Sequence, residues 1–122
     1  MSFSMASEFN DYFKAMIVAT ILSYQPEKAI ALLSRHFHVD EPKIGIGVFK
    51  GRSKRVRAAY SGKRKEILAA KREYLYDPFT ILHEFYHHLR NFDNEHRGTE
   101  KYADKFAQDF IEAYNRVSCK LL

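Results

Sequence analysis

Residues 77–92 read DPFTILHEFYHHLRNF, and this stretch predicts the helix around which the rest of the chain is arranged. Asp77 followed by Pro78 is typical of a helix start, because the fixed φ and missing N–H of proline suit the first helical position. Asn91, Asp93 and Asn94 then break the helical pattern. The apolar residues between these signals recur mostly three or four positions apart: Phe79, Leu82, Phe85, Tyr86, Leu89 and Phe92. We therefore predict an amphipathic helix from about 78 to 92.

Two histidines and a glutamate lie within this helix as His83-Glu84-x-x-His87, an HExxH motif. Histidines four residues apart lie on one helix face, about 6 Å apart along the axis, and can share one cation. A glutamate directly after the first histidine lies beside that cation, where it can take a proton from water. Because catalytic zinc needs three protein ligands, a third ligand has to come from elsewhere in the chain.

The residues after His87 offer four candidates for the third ligand: His88, Asp93, His96 and Glu100. His88 is rotated by about 100° from His87 and does not readily face the same ion. Asp93 has the spacing of the metzincin signature, which needs a glycine at position 90 to turn the chain, where this sequence has Arg90. His96 lies in a predicted loop and stays open as a ligand or as a donor to substrate.

Glu100 is the favoured third ligand because it begins a second predicted amphipathic helix, from about 100 to 119. Asp104 is four residues later, hence on the same helix face. One carboxylate can then bind the ion while the other accepts the free ring N–H of a ligand histidine. The alternative is that both are solvated helix charges. The apolar stripe of this helix comprises Tyr102, Ala103, Phe106, Ala107, Phe110, Ile111, Tyr114 and Val117.

The segments before residue 77 predict two helices followed by a small sheet, since the apolar period changes from helical to alternating. The expected helices are 6–23 and 26–37, and the expected strands are 44–49, 56–60 and 66–71. The whole chain, residues 1–122, is therefore predicted to form a single α+β domain with the HExxH helix and a C-terminal helix after the sheet.

The pattern His83-Glu84-x-x-His87 with Glu100-x-x-x-Asp104 resembles that of the gluzincin metallopeptidases. Residues 100–107, EKYADKFA, are similar to the corresponding helix of ImmA/IrrE-type metallopeptidases, and the small size is similar to that of the minigluzincins. The resemblance covers roughly residues 65 to 115. It implies a zincin-like domain, zinc bound by His83, His87 and Glu100, Glu84 as general base and acid, and Asp104 hydrogen-bonded to a ligand histidine.

The same resemblance implies a hydrolase that cuts peptide or protein substrates. In a zincin-like domain the strand before the active-site helix borders the cleft, and such an edge can hold an extended peptide by main-chain hydrogen bonds. The donor that would stabilise the reacting carbonyl oxygen is not identified by sequence, and His38, His96 and the tyrosines near position 74 are candidates.

Positive charge is concentrated in residues 50–72, which hold ten Lys or Arg side chains against the single acid Glu66, a local net charge of +9. This basic hairpin could bind nucleic acid or an acidic partner protein, or simply keep a sheet edge solvated. The alternatives to an active peptidase are thus a DNA-associated or repressor-targeting regulatory protein, and a latent or inactive zincin.

Composition favours a soluble cytoplasmic protein. The chain is 46% hydrophobic, enough for one compact core at 122 residues. Its single cysteine, Cys119, excludes an internal disulfide framework and suits a reducing compartment. No credible secretory signal is present, and no apolar run reaches the length needed to span a bilayer, so no membrane partner is expected. Sequence does not indicate the oligomeric state.

Overall fold

A computed structural model describes residues 2–51, 55–91 and 99–121 of the protein, and it confirms the α+β class. The described elements follow the predicted order. The helices are α1 (Ser2–Leu22), α2 (Pro26–Phe37), α3 (Pro78–Asn91) and α4 (Thr99–Leu121), and the strands are β1 (Lys43–Ile46), β2 (Ala58–Ser61) and β3 (Glu66–Ala69). A short 3-10 helix, Arg72–Tyr76, connects β3 to α3.

Helix α3 begins where the sequence predicts. The carbonyl oxygen of Asp77 accepts a hydrogen bond from the N–H of Ile81 at 3.1 Å, which makes Asp77 the N-cap residue and Pro78 the first helical residue. The Asp77 carboxylate also accepts a hydrogen bond from the hydroxyl of Thr80, at 2.5 Å. The buried side of α3 includes Ile81, Leu82 and Phe85, none of which is exposed.

The sheet has the strand order β1-β3-β2, with β1 parallel and β2 antiparallel to the central β3. In β3, Ile67 and Ala69 are fully buried in the core shared with the helices. The expected extension of the first strand to residue 49 is wrong. Gly47 donates its N–H to Ala69 at 2.8 Å, but its φ of 152° suits only glycine and directs the chain away from the ladder.

Helix α4 lies against both α1 and α3, and α2 packs on α1. Small or apolar residues of α4 are buried at the predicted helical spacing, including Ala103, Ala107 and Phe110. No helix in the described ranges combines the length and apolar character needed to cross a membrane. Helix α3, which contains the HExxH motif, and helix α4, which contains Glu100, are therefore in direct contact.

Candidate metal centre

Helix α3 presents His83 and His87 on one face, opposite its buried apolar side. Their Nε2 atoms are 3.3 Å apart, and their side chains are 14% and 18% exposed. Because the two residues are one helical turn apart on the same face, their imidazole rings lie side by side and their Nε2 atoms come close together. The backbone of α3 therefore sets the separation of the two nitrogen donors.

Helix α4 supplies the third group of the candidate site. The two carboxylate oxygens of Glu100 lie 3.1 Å from His83 Nε2 and 2.7 Å from His87 Nε2. One donor atom from each of these three residues lies within 4.8 Å of the others. The three predicted ligands are thus close enough together to hold a metal ion.

The donor spacing also matches the size of a small tetrahedral site. An ion with ligand bonds of about 2.0–2.1 Å in tetrahedral geometry holds its donor atoms about 3.3 Å apart. The Nε2–Nε2 separation of 3.3 Å has this value, whereas the Glu100 contacts, at 3.1 and 2.7 Å, are shorter. Two imidazole nitrogens and one carboxylate form a donor set of the kind that binds a divalent metal ion.

Asp104 holds the ring of His83 from the other side. His83 Nδ1 lies 2.9 Å from Asp104 Oδ1, and since a carboxylate only accepts, Nδ1 carries the hydrogen. Nε2 of the same ring points at an oxygen of Glu100 and at the nitrogen of His87.

Burial favours the uncharged form of His87. Burial lowers the pKa of His87 from its ordinary value, and this effect outweighs the opposing attraction of the Glu100 carboxylate. At neutral pH the ring is therefore uncharged, which is the form that binds a metal ion.

Glu84 lies beside this point rather than in the ligand set. Its Oε2 is 4.0 Å from His83 Nε2, and its side chain is 11% exposed at the base of the cleft. A carboxylate at this distance is too far from the ring to replace Glu100, but it is close enough to exchange a proton with a water molecule at the open side of the site.

The cleft has three walls of different chemistry. Helix α3 forms its floor, the first turns of α4 form its acidic side, and the first residue of β2 with the two residues before it forms the opposite side. Glu100 and Asp104 are 77% and 60% exposed, so the acidic side faces solvent. The other side consists of Val56, Arg57 and Ala58. Sequence analysis did not single out Arg57, because nothing distinguishes it from the other nine cations of residues 50–72.

Strand β2 has an edge free of strand pairing within the described ranges. The carbonyl oxygen of Arg57 accepts the N–H of Ala70 at 2.7 Å, so this residue directs its main chain towards the β3 side. Ala58, the next residue, points its N–H and C=O away from β3, because these groups alternate along an antiparallel strand. Main-chain groups are thus available along the side of the cleft.

His88 faces away from the metal centre, as its 100° rotation from His87 predicts. It is fully buried and donates from Nε2 to the carbonyl oxygen of Asp40 at 2.6 Å, while Nδ1 accepts from the Tyr60 hydroxyl at 2.7 Å. Burial lowers the pKa of His88 and raises that of Tyr60, so both are neutral. Asn91 donates to the Tyr60 oxygen at 3.4 Å and to the Gly62 carbonyl at 3.2 Å. This network fixes α3 to the sheet.

The remaining candidates have no described role in the cleft. Asp93 and His96 lie outside the described residues. His38 ends α2 in a left-handed conformation with φ of 57° and is not among the cleft residues. Tyr74 packs under the guanidinium group of Arg57, whose central carbon lies 5.6 Å from the ring centroid.

The basic hairpin contains β2 and β3. Its turn places Lys63, Arg64 and Lys65 on the surface, where Arg64 contacts Glu66 at 3.8 Å and Lys65 contacts Asp40 at 3.9 Å.

Comparison with protein-family models, curated proteins and solved structures finds no match for this chain. Inference about its function therefore depends on the residues and geometry described above.

Proposed function

We propose that the protein is a zinc-dependent peptidase of gluzincin type. The observation that carries this proposal is the convergence of His83, His87 and Glu100 on one point, with Asp104 hydrogen-bonded to the first histidine and Glu84 beside the open side. The resemblance of the motif to the gluzincin pattern supports the same reading. When bound, zinc acts as a Lewis acid that lowers the pKa of water and polarises a carbonyl group.

Each protein group has a separate task in this proposal. Glu84 takes a proton from the attacking water and passes it to the leaving amide nitrogen, as a general base and then a general acid. Asp104 keeps the hydrogen of His83 on Nδ1, so that the lone pair of Nε2 can bind the metal ion. The buried network around His88 holds the helix that carries both histidines.

A peptide is the proposed substrate because the cleft runs past the edge of β2. An extended chain laid beside Ala58 can hydrogen-bond to main-chain groups that β3 does not use. This arrangement recognises the backbone, which every peptide shares, and places a carbonyl group across the floor formed by α3.

The test combines metal analysis with one isosteric substitution. Purified wild-type protein and the variant Glu84→Gln should each contain about one zinc ion and unfold at similar urea concentrations. Glu84→Gln should hydrolyse a mixed peptide library at least about 100-fold more slowly, since a general base contributes on the order of 10²–10⁴ in rate. The matched control is Glu73→Gln, which changes an exposed glutamate on the 3-10 helix.

Two results would contradict the proposal. One is a wild-type protein that binds no zinc when the metal is supplied. The other is unchanged peptide hydrolysis in Glu84→Gln. Zinc binding without turnover on any peptide would favour the latent or inactive zincin, although Glu100 is 77% exposed and the described part of the chain leaves it open to solvent.

The exposed lysines of the β2–β3 turn support a second candidate function, the binding of nucleic acid by the basic hairpin. In that case DNA or RNA affinity should fall steeply as salt increases, should survive Glu84→Gln, and should be lost on changing Lys63 and Lys65 to glutamate. Weak binding that these two changes leave intact would remove this candidate.

A further inference from the structure

Arg57 stands out among the residues of the cleft because it is the one cation among those that line its described part. It lies directly before β2, across the cleft from Glu100 and Asp104, and its side chain is 67% exposed. An arginine on an open wall next to a reaction centre is available to a ligand in a way that the buried groups are not.

The guanidinium group is oriented but not saturated. It lies over the ring of Tyr74 at 5.6 Å, and its NH1 donates to Asp77 Oδ2 at 3.3 Å. The same carboxylate oxygen also accepts the shorter hydrogen bond from Thr80, so Asp77 is shared between its ion pair with Arg57 and the start of α3. Among the described contacts Arg57 uses one of its five N–H donors, which leaves a pair of parallel donors for a ligand.

The charges around the cleft favour one position for an acidic group. With zinc bound, the ion offsets the charge of Glu100, but Asp104 near α4 and Glu84 on the floor still oppose a substrate carboxylate there. Towards β2 the carboxylate meets Arg57.

We propose that Arg57 binds a carboxylate of the substrate, so that the cleft selects peptides with Asp or Glu close to the bond that is cut. A planar guanidinium matches a carboxylate through two parallel hydrogen bonds, whereas a main-chain carbonyl fills only one of them. The inference rests on the proposed function for the peptide nature of the ligand, and it adds the chemical class of the side chain that is recognised.

To test the role of Arg57, peptide binding is measured separately from peptide hydrolysis. Zinc-loaded Glu84→Gln protein is titrated into fluorescent peptides that share one neutral sequence and carry Glu or Gln at each position in turn, with anisotropy as the readout. At one position the Glu peptide should bind about fivefold to tenfold more tightly than the Gln peptide, a moderate factor because Arg57 is solvent-exposed. Adding Arg57→Gln should abolish the difference, and Arg57→Lys should restore part of it.

Arg64→Gln is the matched control, since Arg64 belongs to the same hairpin, in the turn between β2 and β3, is 69% exposed and also contacts one acid. It should leave the Glu preference unchanged. Equal loss in both variants would show a general effect of net charge and would overturn the inference. Failure of every peptide to bind, or a Glu preference that survives Arg57→Gln, would overturn it as well.

Wild-type hydrolysis distinguishes this inference from the proposed function. If Glu peptides bind preferentially but nothing is cut, the peptidase proposal fails and the role of Arg57 stands. If peptides are cut and Arg57→Gln lowers kcat for Glu and Gln peptides equally with unchanged KM, Arg57 stabilises the transition state instead, and the specificity role is refuted. A rise in KM confined to the Glu peptide is the expected result.

Discussion

The hydrogen bond between His83 and Asp104 gives a quantitative test of the metal centre. Asp104→Asn keeps the shape of the side chain but removes the charge that holds the hydrogen on His83 Nδ1, 2.9 Å away. Loss of such a partner typically weakens metal binding by about 10- to 100-fold. Because the Asp104 side chain is 60% exposed, water can replace part of the contact, and we expect the lower end, about tenfold or about 1.4 kcal/mol.

The assay is a competition for zinc between the metal-free protein and a coloured chelator at pH 7.5. Asp109→Asn is the matched control, because Asp109 is an exposed aspartate on the same helix and does not line the cleft. Glu100→Ala should weaken zinc binding more than Asp104→Asn, since it removes a donor atom rather than the partner of one. Urea unfolding of the metal-free variants should differ little from wild type, because both side chains are exposed.

Two results would refute this reasoning. If Asp104→Asn binds zinc as tightly as Asp109→Asn, the Asp104 carboxylate does not hold the hydrogen of His83 on Nδ1 and does not support zinc binding through Nε2. If Glu100→Ala retains wild-type affinity for zinc, Glu100 is not the third ligand.

Two further predictions concern stability. Tyr60→Phe removes the hydroxyl that donates to buried His88 and should destabilise the fold by about 1–3 kcal/mol in urea unfolding, whereas Tyr102→Phe, at a tyrosine that is 56% exposed, should not. The hydrogen bonds from Arg116 lower the pKa of Asp11, so this ion pair stabilises the fold above the ordinary aspartate pKa and loses its effect as the pH falls. Arg116→Gln should therefore lower the urea midpoint at pH 7, and the difference from wild type should narrow below about pH 4; a difference that is independent of pH would contradict this.

The helices were predictable because their signals are local. Asp77-Pro78 and the three-to-four spacing that follows it define the start and the buried face of α3 without reference to any other segment. Helix α2 likewise has the predicted bounds, 26–37. Helix α1 begins earlier than the expected residue 6, where apolar spacing gives no boundary signal.

The sheet was less predictable because strand pairing is a long-range property. Alternation located three strands, but it contains no information on the central position of β3 or on the parallel pairing of β1 with it. The short β1 has a local cause, the positive φ of Gly47, yet glycine in an alternating run is equally compatible with a continuing strand.

The candidate site divides in the same way. His83 and His87 are fixed by helix geometry, and Glu100 could be chosen because a short connection leads from one helix to the next. The opposite wall depends on how β2 packs beside α3, which no motif records. Arg57 and its support by Tyr74 therefore become visible only in three dimensions.

Burial explains why adjacent histidines on α3 should respond differently to substitution. His88 faces the core, where loss of its Tyr60 donor leaves a desolvated nitrogen, so the cost appears in the free energy of unfolding. His83 faces the cleft, where its partner Asp104 is exposed, so the cost of losing that partner appears in metal affinity. Tyr60→Phe should therefore reduce stability more than zinc affinity, and Asp104→Asn should do the reverse. If Tyr60→Phe and Asp104→Asn each lowered stability and zinc affinity to a similar extent, the structural face and the metal-binding face of α3 would be energetically coupled, and this reasoning would be wrong.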